Sequence, residues 1–275
     1  MELTLLGTAA AEGWPAPFCA CANCQEARRR GGINIRSRSG ALVDDDLKID
    51  FGPDTVSQMQ RTGRNLSRLK TIVFTHQHSD HLVASELEWV VDPFTRTPPG
   101  RVEMIGNEAV IAEINRASDA LPARRLREAL ALRTVEAGDQ VTTASGDELW
   151  FMPADHCEHA TVFRLRRGGK TLFYGHDSGI YPSATMDRLC DGIPLDVALL
   201  DCTNGGIASK NRGHMGVDGV IAVAEQLRRR SAIHAETRVI ATHFSHNGGL
   251  LHKDLLRAFL PHGIEVAFDG MVVRA

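Results

Sequence analysis

The sequence predicts an α/β protein built as a four-layer αββα sandwich, in which two packed β-sheets lie between outer layers of helices. Apolar runs typical of strands alternate with segments of helical spacing in two successive halves of the chain. Histidines and aspartates follow directly after several of the strand-like runs. No stretch of linker composition separates the halves, so we expect residues 1–275 to form a single domain.

The first half contains short apolar runs bounded by turn residues, which is the pattern of buried strands. The predicted strands cover residues 2–6, 39–43, 47–50, 71–74 and 102–105, with a hairpin around the three aspartates at 44–46. The predicted helices cover residues 54–62, 82–90, 107–117 and 122–132. The last of these is rich in arginine and forms either a lid over a pocket or an amphipathic surface helix, which we favour.

The second half repeats this alternation, and Gly168-Gly169 predict a hairpin between strands 161–166 and 171–174. Its predicted strands cover residues 140–143, 148–152, 161–166, 171–174, 197–200, 238–241, 264–267 and 271–273. The predicted helices cover residues 219–230 and 250–260, and the first of them ends in arginines, as a helix C-terminus prefers.

Composition limits the possible partners and locations. The net charge of −3 gives no general attraction to nucleic acids or anionic membranes. No apolar run approaches the roughly 20 residues that span a bilayer. A strand begins at once and carries an acid at position 2, which is not a secretory signal. We therefore expect a cytoplasmic protein.

The segment that follows strand 71–74 has the densest set of potential metal ligands. His76, His78, Asp80 and His81 fall within six residues. Side chains at alternate positions of an extended segment share a face, so His76 and His78 can hold one ion. Asp80 and His81 lie beyond the strand and can face a second ion. Imidazole and carboxylate are ligands for zinc, manganese or iron.

Three later strand-like runs end in further candidates. His156 follows strand 148–152, Asp177 follows strand 171–174, and His243 follows strand 238–241. His159 is a rival to His156, which we prefer because it stands closer to the strand end. A carboxylate can bind one ion with each oxygen, so Asp177 can bridge two.

Cysteines and arginines cluster before residue 40. Cys19, Cys21 and Cys24 form a C-x-C-x-x-C cluster that either stays reduced or binds zinc with a fourth ligand from elsewhere. Clustered thiols without a regular frame do not suggest disulfides. We expect the arginines at 28–30, 36 and 38 to lie on a solvated face.

The motif His76-x-His78-x-Asp80-His81 after an apolar strand, with His156, Asp177 and His243 following in that order, resembles the metallo-β-lactamase superfamily. The resemblance implies a metallo-β-lactamase fold and a dinuclear site. It assigns His76, His78 and His156 to one metal and Asp80, His81 and His243 to the other, with Asp177 bridging both. Hydrolysis is the reaction that two adjacent ions support.

Two further aspartates end strands and are candidates for orienting the ligands. In the superfamily the residue that matches Asp50 lies behind the ligands, where a carboxylate fixes the tautomer of a coordinating imidazole. Asp201 has the same potential. Each can instead be a turn residue, Asp50 before Gly52-Pro53 and Asp201 before Thr203.

The cysteine cluster, together with Thr242-His243-Phe244-Ser245-His246, resembles the phosphodiesterase family that accompanies carbon–phosphorus lyase in phosphonate breakdown. That resemblance implies a structural zinc held by Cys19, Cys21, Cys24 and His246. It also implies that His214, in a Gly/Asn-rich loop, protonates the leaving oxygen, which suits the ordinary pKa of histidine. Asp80 and Asp177 are the other residues expected to be catalytic, and His176 has no assigned role.

The function implied by this resemblance is hydrolysis of a small phosphodiester, such as a cyclic ribosyl phosphodiester, by two manganese or zinc ions. The expected partners are that substrate and, in a homodimer, a second copy of the chain; neither a nucleic acid nor a membrane is expected. The alternatives are a pre-tRNA 3′ endonuclease, a lactone or thioester hydrolase, and a non-catalytic metal protein like factor B of pyrroloquinoline quinone biosynthesis.

Overall fold

The computed structural model describes residues 1–120, 124–209 and 213–275. The strands are β1 Glu2–Gly7, β2 Gly40–Val43, β3 Leu47–Ile49, β4 Thr71–Val73, β5 Val102–Gly106, β6 Leu130–Thr134, β7 Gln140–Thr142, β8 Glu148–Pro153, β9 Thr161–Arg167, β10 Lys170–Gly175, β11 Val197–Asp201, β12 Arg238–Thr242, β13 Ile264–Val266 and β14 Met271–Arg274. The α-helices are α1 Ala22–Arg30, α2 Thr55–Thr62, α3 Glu108–Ala120, α4 Arg124–Ala129, α5 Ser183–Leu189, α6 Val217–Arg229 and α7 His252–Phe259. Short 3₁₀ helices cover Gly32–Asn34, Ala84–Val90, His246–Gly248 and Leu260–His262.

The strands form two seven-stranded sheets with matching organisation. The first has the order β14-β1-β2-β3-β4-β5-β6, and the second has the order β13-β12-β11-β10-β9-β8-β7. In each sheet an antiparallel part joins a parallel part at β3 or β10. The predicted four-layer αββα sandwich is confirmed.

Alternation along the strands explains the layers. In β4, Val73 packs into the core between the sheets, while its neighbours Ile72 and Phe74 pack into a second cluster on the outer face of the first sheet. Helix α3 covers that face with Val110 and Ile114. Both faces of these strands are apolar because both are covered by protein.

The two predicted hairpins have the turns that their sequences favour. Asp44 and Asp45 have φ values of 46° and 63°, and Gly168 and Gly169 have φ values of 57° and 78°. Two successive residues in the left-handed region match the twist of the flanking strands, and aspartate and glycine tolerate it. The hairpins β2–β3 and β9–β10 therefore confirm the prediction.

Two of the predicted helices differ from the structure. Part of the predicted helix 122–132 lies outside the described residues; α4 ends at Ala129, and Leu130 begins β6. Strand β6 alternates between buried and less buried residues and pairs in parallel with β5, so it is an edge strand of the first sheet. The predicted helix 82–90 is a 3₁₀ helix that begins only at Ala84, because Leu82 forms a β-bridge with Phe51 and Val83 N donates to Phe51 O.

Other predictions were wrong in detail before residue 40 and after residue 180. Helices α1 and α5 were not predicted. Arg28, Arg29 and Arg30 are exposed as expected, but Arg36 is only 3% exposed. Its guanidinium donates to Thr8 Oγ1 and to Ala267 O and stacks on the ring of Phe244. These contacts come from distant segments and compensate for the burial of the charge.

Candidate functional site

The ends of five strands bring the candidate residues to one edge of the sandwich. Strands β10, β11 and β12 run parallel, and β8 has the same direction because two antiparallel pairings separate it from β10. Their carboxyl ends deliver His156, Asp177, Asp201 and His243, and β4 in the facing sheet delivers the segment beginning at Thr75. Carboxyl ends of parallel strands commonly meet to form a site in this way.

His76, His78 and His156 form the first group of potential ligands. His78 Nδ1 lies 2.9 Å from His76 Nε2 and 3.3 Å from His156 Nε2. Nitrogens bound to one tetrahedral zinc at about 2.0–2.1 Å lie about 3.3 Å apart, so the three imidazoles fit a single ion. His159, the rival of His156, is exposed and lies beside Glu158 instead.

Asp80, His81 and His243 form the second group, and Asp177 lies between the two groups. Asp177 Oδ2 is 2.9 Å from His81 Nε2 and 3.2 Å from His243 Nε2, whereas Asp177 Oδ1 is 3.8 Å from His156 Nε2. His81 Nε2 is also 3.1 Å from Asp80 Oδ2. Each oxygen of Asp177 thus faces a different set of histidines.

The second group fits a divalent metal on its polar chemistry. His81 Nε2, His243 Nε2 and Asp177 Oδ2 are buried and lie close together, but none of the three has a neighbour in hydrogen-bonding geometry. Buried polar atoms without partners are costly and rare. One divalent ion would supply all three atoms with a partner, which makes this donor set suitable for zinc or manganese.

The electrostatics of this group agree with that fit. Burial lowers the pKa of His243, but the carboxylates of Asp177 and Asp201 raise it to about 9. Burial likewise lowers the pKa of His81, while Asp177 and Asp50 raise it well above its ordinary value. Burial raises the pKa of Asp177, but His243 and His81 hold it well below its ordinary value. The carboxylates therefore attract positive charge, which protons or a divalent ion can supply.

Asp50 and Thr75 position the first imidazoles from behind. Asp50 Oδ2 lies 2.7 Å from His81 Nδ1, and Asp50 Oδ1 accepts from Thr75 N at 2.9 Å. Thr75 Oγ1 is 3.0 Å from His76 Nδ1. These contacts direct the Nε2 atoms of His76 and His81 toward the cluster. Asp50 also has φ 57° in its turn, so the two roles considered for it coexist.

Asp201 contacts two histidines at once. Its Oδ2 lies 3.0 Å from His214 Nδ1 and 3.4 Å from His243 Nδ1, and its Oδ1 accepts from Thr203 N. Thr203 Oγ1 is 2.8 Å from His243 Nδ1. Burial lowers the pKa of His214, but the hydrogen bond to Asp201 raises it above the ordinary value. Asp201 is therefore both a turn residue and a positioning residue.

His214 lies over the cluster. Its ring centroid is 5.0 Å from that of His156 and 5.8 Å from that of His243. The preceding residues 210–212 of the predicted Gly/Asn-rich loop lie outside the described residues. His214 also falls within ligand distance of Asp177, Asp201 and His243, which makes it a rival ligand of the second group.

Left-handed backbone conformations recur at the strand ends that carry the site. Asp177 has φ 49° and His243 has φ 60°. Such conformations cost non-glycine residues about 1–2 kcal/mol and occur preferentially at functional sites. They direct the side chains into the cluster, a requirement that does not appear in the sequence pattern.

The predicted cysteine cluster also forms one group. Cys19 Sγ and Cys21 Sγ lie 3.7 Å and 3.6 Å from His246 Nδ1, and Cys24 completes the set. Cys21 caps α1, since its sulfur accepts from Cys24 N, and this contact lowers its pKa to about 6. Burial raises the pKa of Cys24 to about 11. A Cys₃His set with a thiolate present fits tetrahedral zinc.

Several residues at the site were not found from the sequence. Thr75 and Thr203 position ligands, and Ser39 Oγ lies 2.9 Å from Nδ1 of His176. His176 is buried against Tyr174, with ring centroids 4.0 Å apart. Cys157 lies within ligand distance of the first group. Proximity to His156 was its one sequence signal.

An αββα sandwich with two His/Asp groups at one sheet edge defines a class of metal-dependent hydrolases. The family model described as the beta-lactamase superfamily domain matches residues 47–244. The chain belongs to this metallo-β-lactamase superfamily, whose members are mostly hydrolases and typically bind divalent metals such as zinc. The predicted superfamily is therefore confirmed.

Solved structures share the fold along nearly the whole chain. A diphosphatase from the PhnP family is 24% identical with a TM-score of 0.76, covering 100% of this chain and 97% of its own. Zinc-bound PqqB from Methylobacterium extorquens is 18% identical with a TM-score of 0.78 and full coverage of both chains. The short form of human tRNase Z is 17% identical with a TM-score of 0.70, covering 100% and 99%.

At these identities the likeness is one of fold. No curated protein sequence matches the chain. None of the helices in the described ranges is long and apolar enough to cross a bilayer.

Proposed function

We propose that the chain is a phosphodiesterase that uses two divalent ions, manganese or zinc, and is stabilised by one structural zinc. The observation that carries the proposal is the placement of Asp177, whose two oxygens face different groups of histidines. A carboxylate in this position can hold two ions side by side. The substrate is a small phosphodiester, such as the cyclic ribosyl phosphodiester of phosphonate breakdown.

The proposed ligands follow from the groups described above. His76, His78 and His156 hold the first ion, and Asp80, His81 and His243 hold the second, with Asp177 shared. Cys19, Cys21, Cys24 and His246 hold the structural zinc. When bound, a pair of ions activates water and neutralises charge on a phosphoryl group.

His214 is proposed to protonate the leaving oxygen. Asp201 binds its Nδ1, which leaves Nε2 as the donor atom. The hydrogen bond to Asp201 also raises the pKa of His214 and so favours the protonated imidazole that a general acid requires. Alkoxides of sugars leave poorly without a proton, so this residue favours alkyl phosphodiesters as substrates.

An open groove of about 580 Å³ has a lining suited to an anionic substrate. Arg38 and Arg61 line it together with Trp14 and Asp54. Arg38 Nε is 3.0 Å from Asp54 Oδ2, and its charge also interacts with Asp80 of the second group. A guanidinium held in place beside the cluster is suited to binding phosphate oxygens.

A substrate panel tests the proposal. The chain is loaded with manganese or with zinc and assayed on cyclic and linear phosphodiesters, carboxylic esters, lactones and thioesters. The highest kcat/KM is expected on a small alkyl phosphodiester. A preference for lactones or thioesters, cleavage of pre-tRNA at its 3′ end, or no turnover on any substrate would each contradict it.

His78→Ala is the matched negative control for the panel, since it removes a ligand that is exposed at the mouth of the cluster and contributes little to the core. Activity that persists unchanged in this variant would show that the hydrolysis belongs to a contaminant or to another site.

A further inference from the structure

A thiol lies within the first group of histidines. The ligand atoms of His76, His78, His156 and Cys157 all lie within 4.8 Å of one another. Cys157 is a free, half-buried cysteine that directly follows His156. The proposed function assigns three imidazoles to this group and gives the sulfur no role.

The surroundings of the sulfur are those of a metal position. The two nitrogen separations of 2.9 Å and 3.3 Å are close to the edges of a zinc tetrahedron. His76 is fully buried, and the ligand atoms of the three histidines are close enough for one ion to contact all of them. The thiol of Cys157 lies within reach of the same ion position.

We propose that Cys157 is a thiolate ligand of the ion held by His76, His78 and His156, and that it makes this position selective for zinc over manganese. Binding forms a metal–sulfur bond and releases the thiol proton to solvent. Soft thiolates favour zinc, whereas imidazole and carboxylate alone also accept manganese. The inference rests on the proposed function only in requiring an ion at the first group.

The second group provides an internal contrast. Asp80, His81, His243 and Asp177 offer nitrogen and oxygen but no sulfur. If Cys157 coordinates, the two positions differ in ligand softness, and a chain supplied with both metals takes zinc at the first position and accepts manganese at the second. The first position, which carries the sulfur, is also expected to bind zinc more tightly than the second position does.

Cobalt substitution tests the sulfur ligand directly, because a thiolate bound to cobalt(II) gives a charge-transfer absorption in the near ultraviolet. Cobalt-loaded wild type and Cys157→Ser are compared, and the cysteine cluster contributes equally to both spectra. Wild type is expected to show the additional intensity of one thiolate. Cys190→Ser, which replaces a half-buried cysteine at the end of α5, is the matched control and should keep the wild-type spectrum. Identical spectra for wild type and Cys157→Ser would overturn the inference.

Metal counting gives a second measurement. With manganese and zinc supplied together, Cys157→Ser is expected to lose at least about tenfold of its preference for zinc at one position, since even indirect ligand changes cost 10–100-fold in metal affinity. An unchanged zinc-to-manganese ratio would contradict the inference. If Cys157→Ser does not fold, X-ray absorption at the zinc edge of the wild type still decides, by counting sulfur neighbours beyond those of the cysteine cluster.

These outcomes separate the inference from the proposed function. Normal cobalt charge transfer from Cys157 in a chain without phosphodiesterase activity would refute the function and leave the sulfur ligand standing. Phosphodiesterase activity with no difference between the two spectra would refute the sulfur ligand and leave the proposed function standing.

Discussion

The two candidate metal regions of this protein use similar ligands but are constructed differently. In the cysteine cluster, the four ligands come from one short segment and the nearby end of β12, and they form one group. At the sheet edge, the imidazoles of the two groups come from the ends of β4, β8 and β12. Contacts with Asp50, Asp201, Thr75 and Thr203 orient those of His76, His81 and His243. At the sheet edge, the buried atoms His81 Nε2, His243 Nε2 and Asp177 Oδ2 have no neighbour in hydrogen-bonding geometry.

This difference indicates which region is structural and which is reactive. The four ligands of the cysteine cluster would satisfy one tetrahedral zinc, whereas the sheet-edge groups share Asp177 between two proposed ions, an arrangement suited to activating water. The sheet-edge cluster also includes His214, held by Asp201, and the cysteine cluster has no counterpart to it. Substitutions in the two regions should therefore affect different properties.

The largest effect is expected at Asp177. Asp177→Asn removes the negative charge that the two groups share, and phosphodiester hydrolysis should fall below detection while the melting temperature stays near that of the wild type. Turnover and thermal unfolding are measured on the same preparations. Asp187→Asn, an exposed aspartate beside Arg230, is the matched control. Full activity of Asp177→Asn would contradict the proposal that the sheet-edge region is the reactive one.

His214→Ala should show an effect that depends on the leaving group. General acids typically contribute about 10²–10⁴-fold, and nitrophenolate leaves readily without a proton. The loss should therefore reach that range on an alkyl phosphodiester and be much smaller on a nitrophenyl one, with normal metal content. His262→Ala, outside the cluster, serves as control. Equal losses would indicate a binding role, and lost metal would show that His214 is a ligand.

Asp201→Asn should cause a smaller loss of turnover and metal affinity, confined to the sheet-edge region. Residues that orient metal ligands typically contribute 10–100-fold to affinity or activity. Because Asp201 contacts both His214 and His243, the variant should lower metal affinity and turnover together. Zinc in the cysteine cluster should be unaffected. Metal titration and kinetics on one preparation test this; unchanged values for both would contradict the positioning role.

Cys21→Ser tests the other region. The variant removes a proposed zinc ligand and the cap of α1, so thermal stability should fall and about one zinc per chain should be lost after mild chelation. Turnover per folded, metal-loaded chain should change little. Unchanged zinc content and stability would refute the structural zinc, and a selective loss of turnover would contradict the division of roles.

The smallest effect concerns Lys48, which lies beneath the sheet-edge cluster and donates to Asp50 O. Burial lowers the pKa of Lys48 to about 8, and Asp50 opposes this change. Because the folded pKa is below the unfolded one, the unfolded chain binds more protons between about pH 8 and pH 10.4, and this group makes stability rise with pH there. Lys48→Met should remove that rise, at most about 3 kcal/mol. Denaturant titrations at several pH values measure it, and an unchanged slope would show that Lys48 has no such shift.

Much of the architecture could be predicted because it depends on local patterns. Apolar runs gave the strands, and turn residues gave the hairpins at Asp44 and Gly168. The cap at Cys21 was missed because a cysteine is an unusual helix cap, and α1 carries little apolar periodicity. Strand β6 was missed because its residues 130–134 continue an arginine-rich helical pattern, and only pairing with β5 makes them extended.

The candidate ligands could be proposed from the sequence because each follows a strand, but their assignment as ligands stays a prediction. The sequence favours His156 over His159 only because His156 stands closer to the strand end, and the fold places His156 beside His78. The contact of Asp201 with His214 connects the two ends of the loop that separates them. Cys157 lies near the first group because it directly follows His156 in the same turn. Such contacts depend on how distant strands are aligned.

The sequence by itself determined the sandwich, the superfamily, and the kinds of atoms that gather at the sheet edge. These follow from strand periodicity and from residue chemistry at strand ends, which are properties of neighbouring positions. The tertiary structure alone decided that Arg36 is buried, that each oxygen of Asp177 faces a different group, and that a thiol stands among the first histidines. The reason is that these outcomes depend on strand order, register and left-handed turns, which bring together residues that are far apart in the chain.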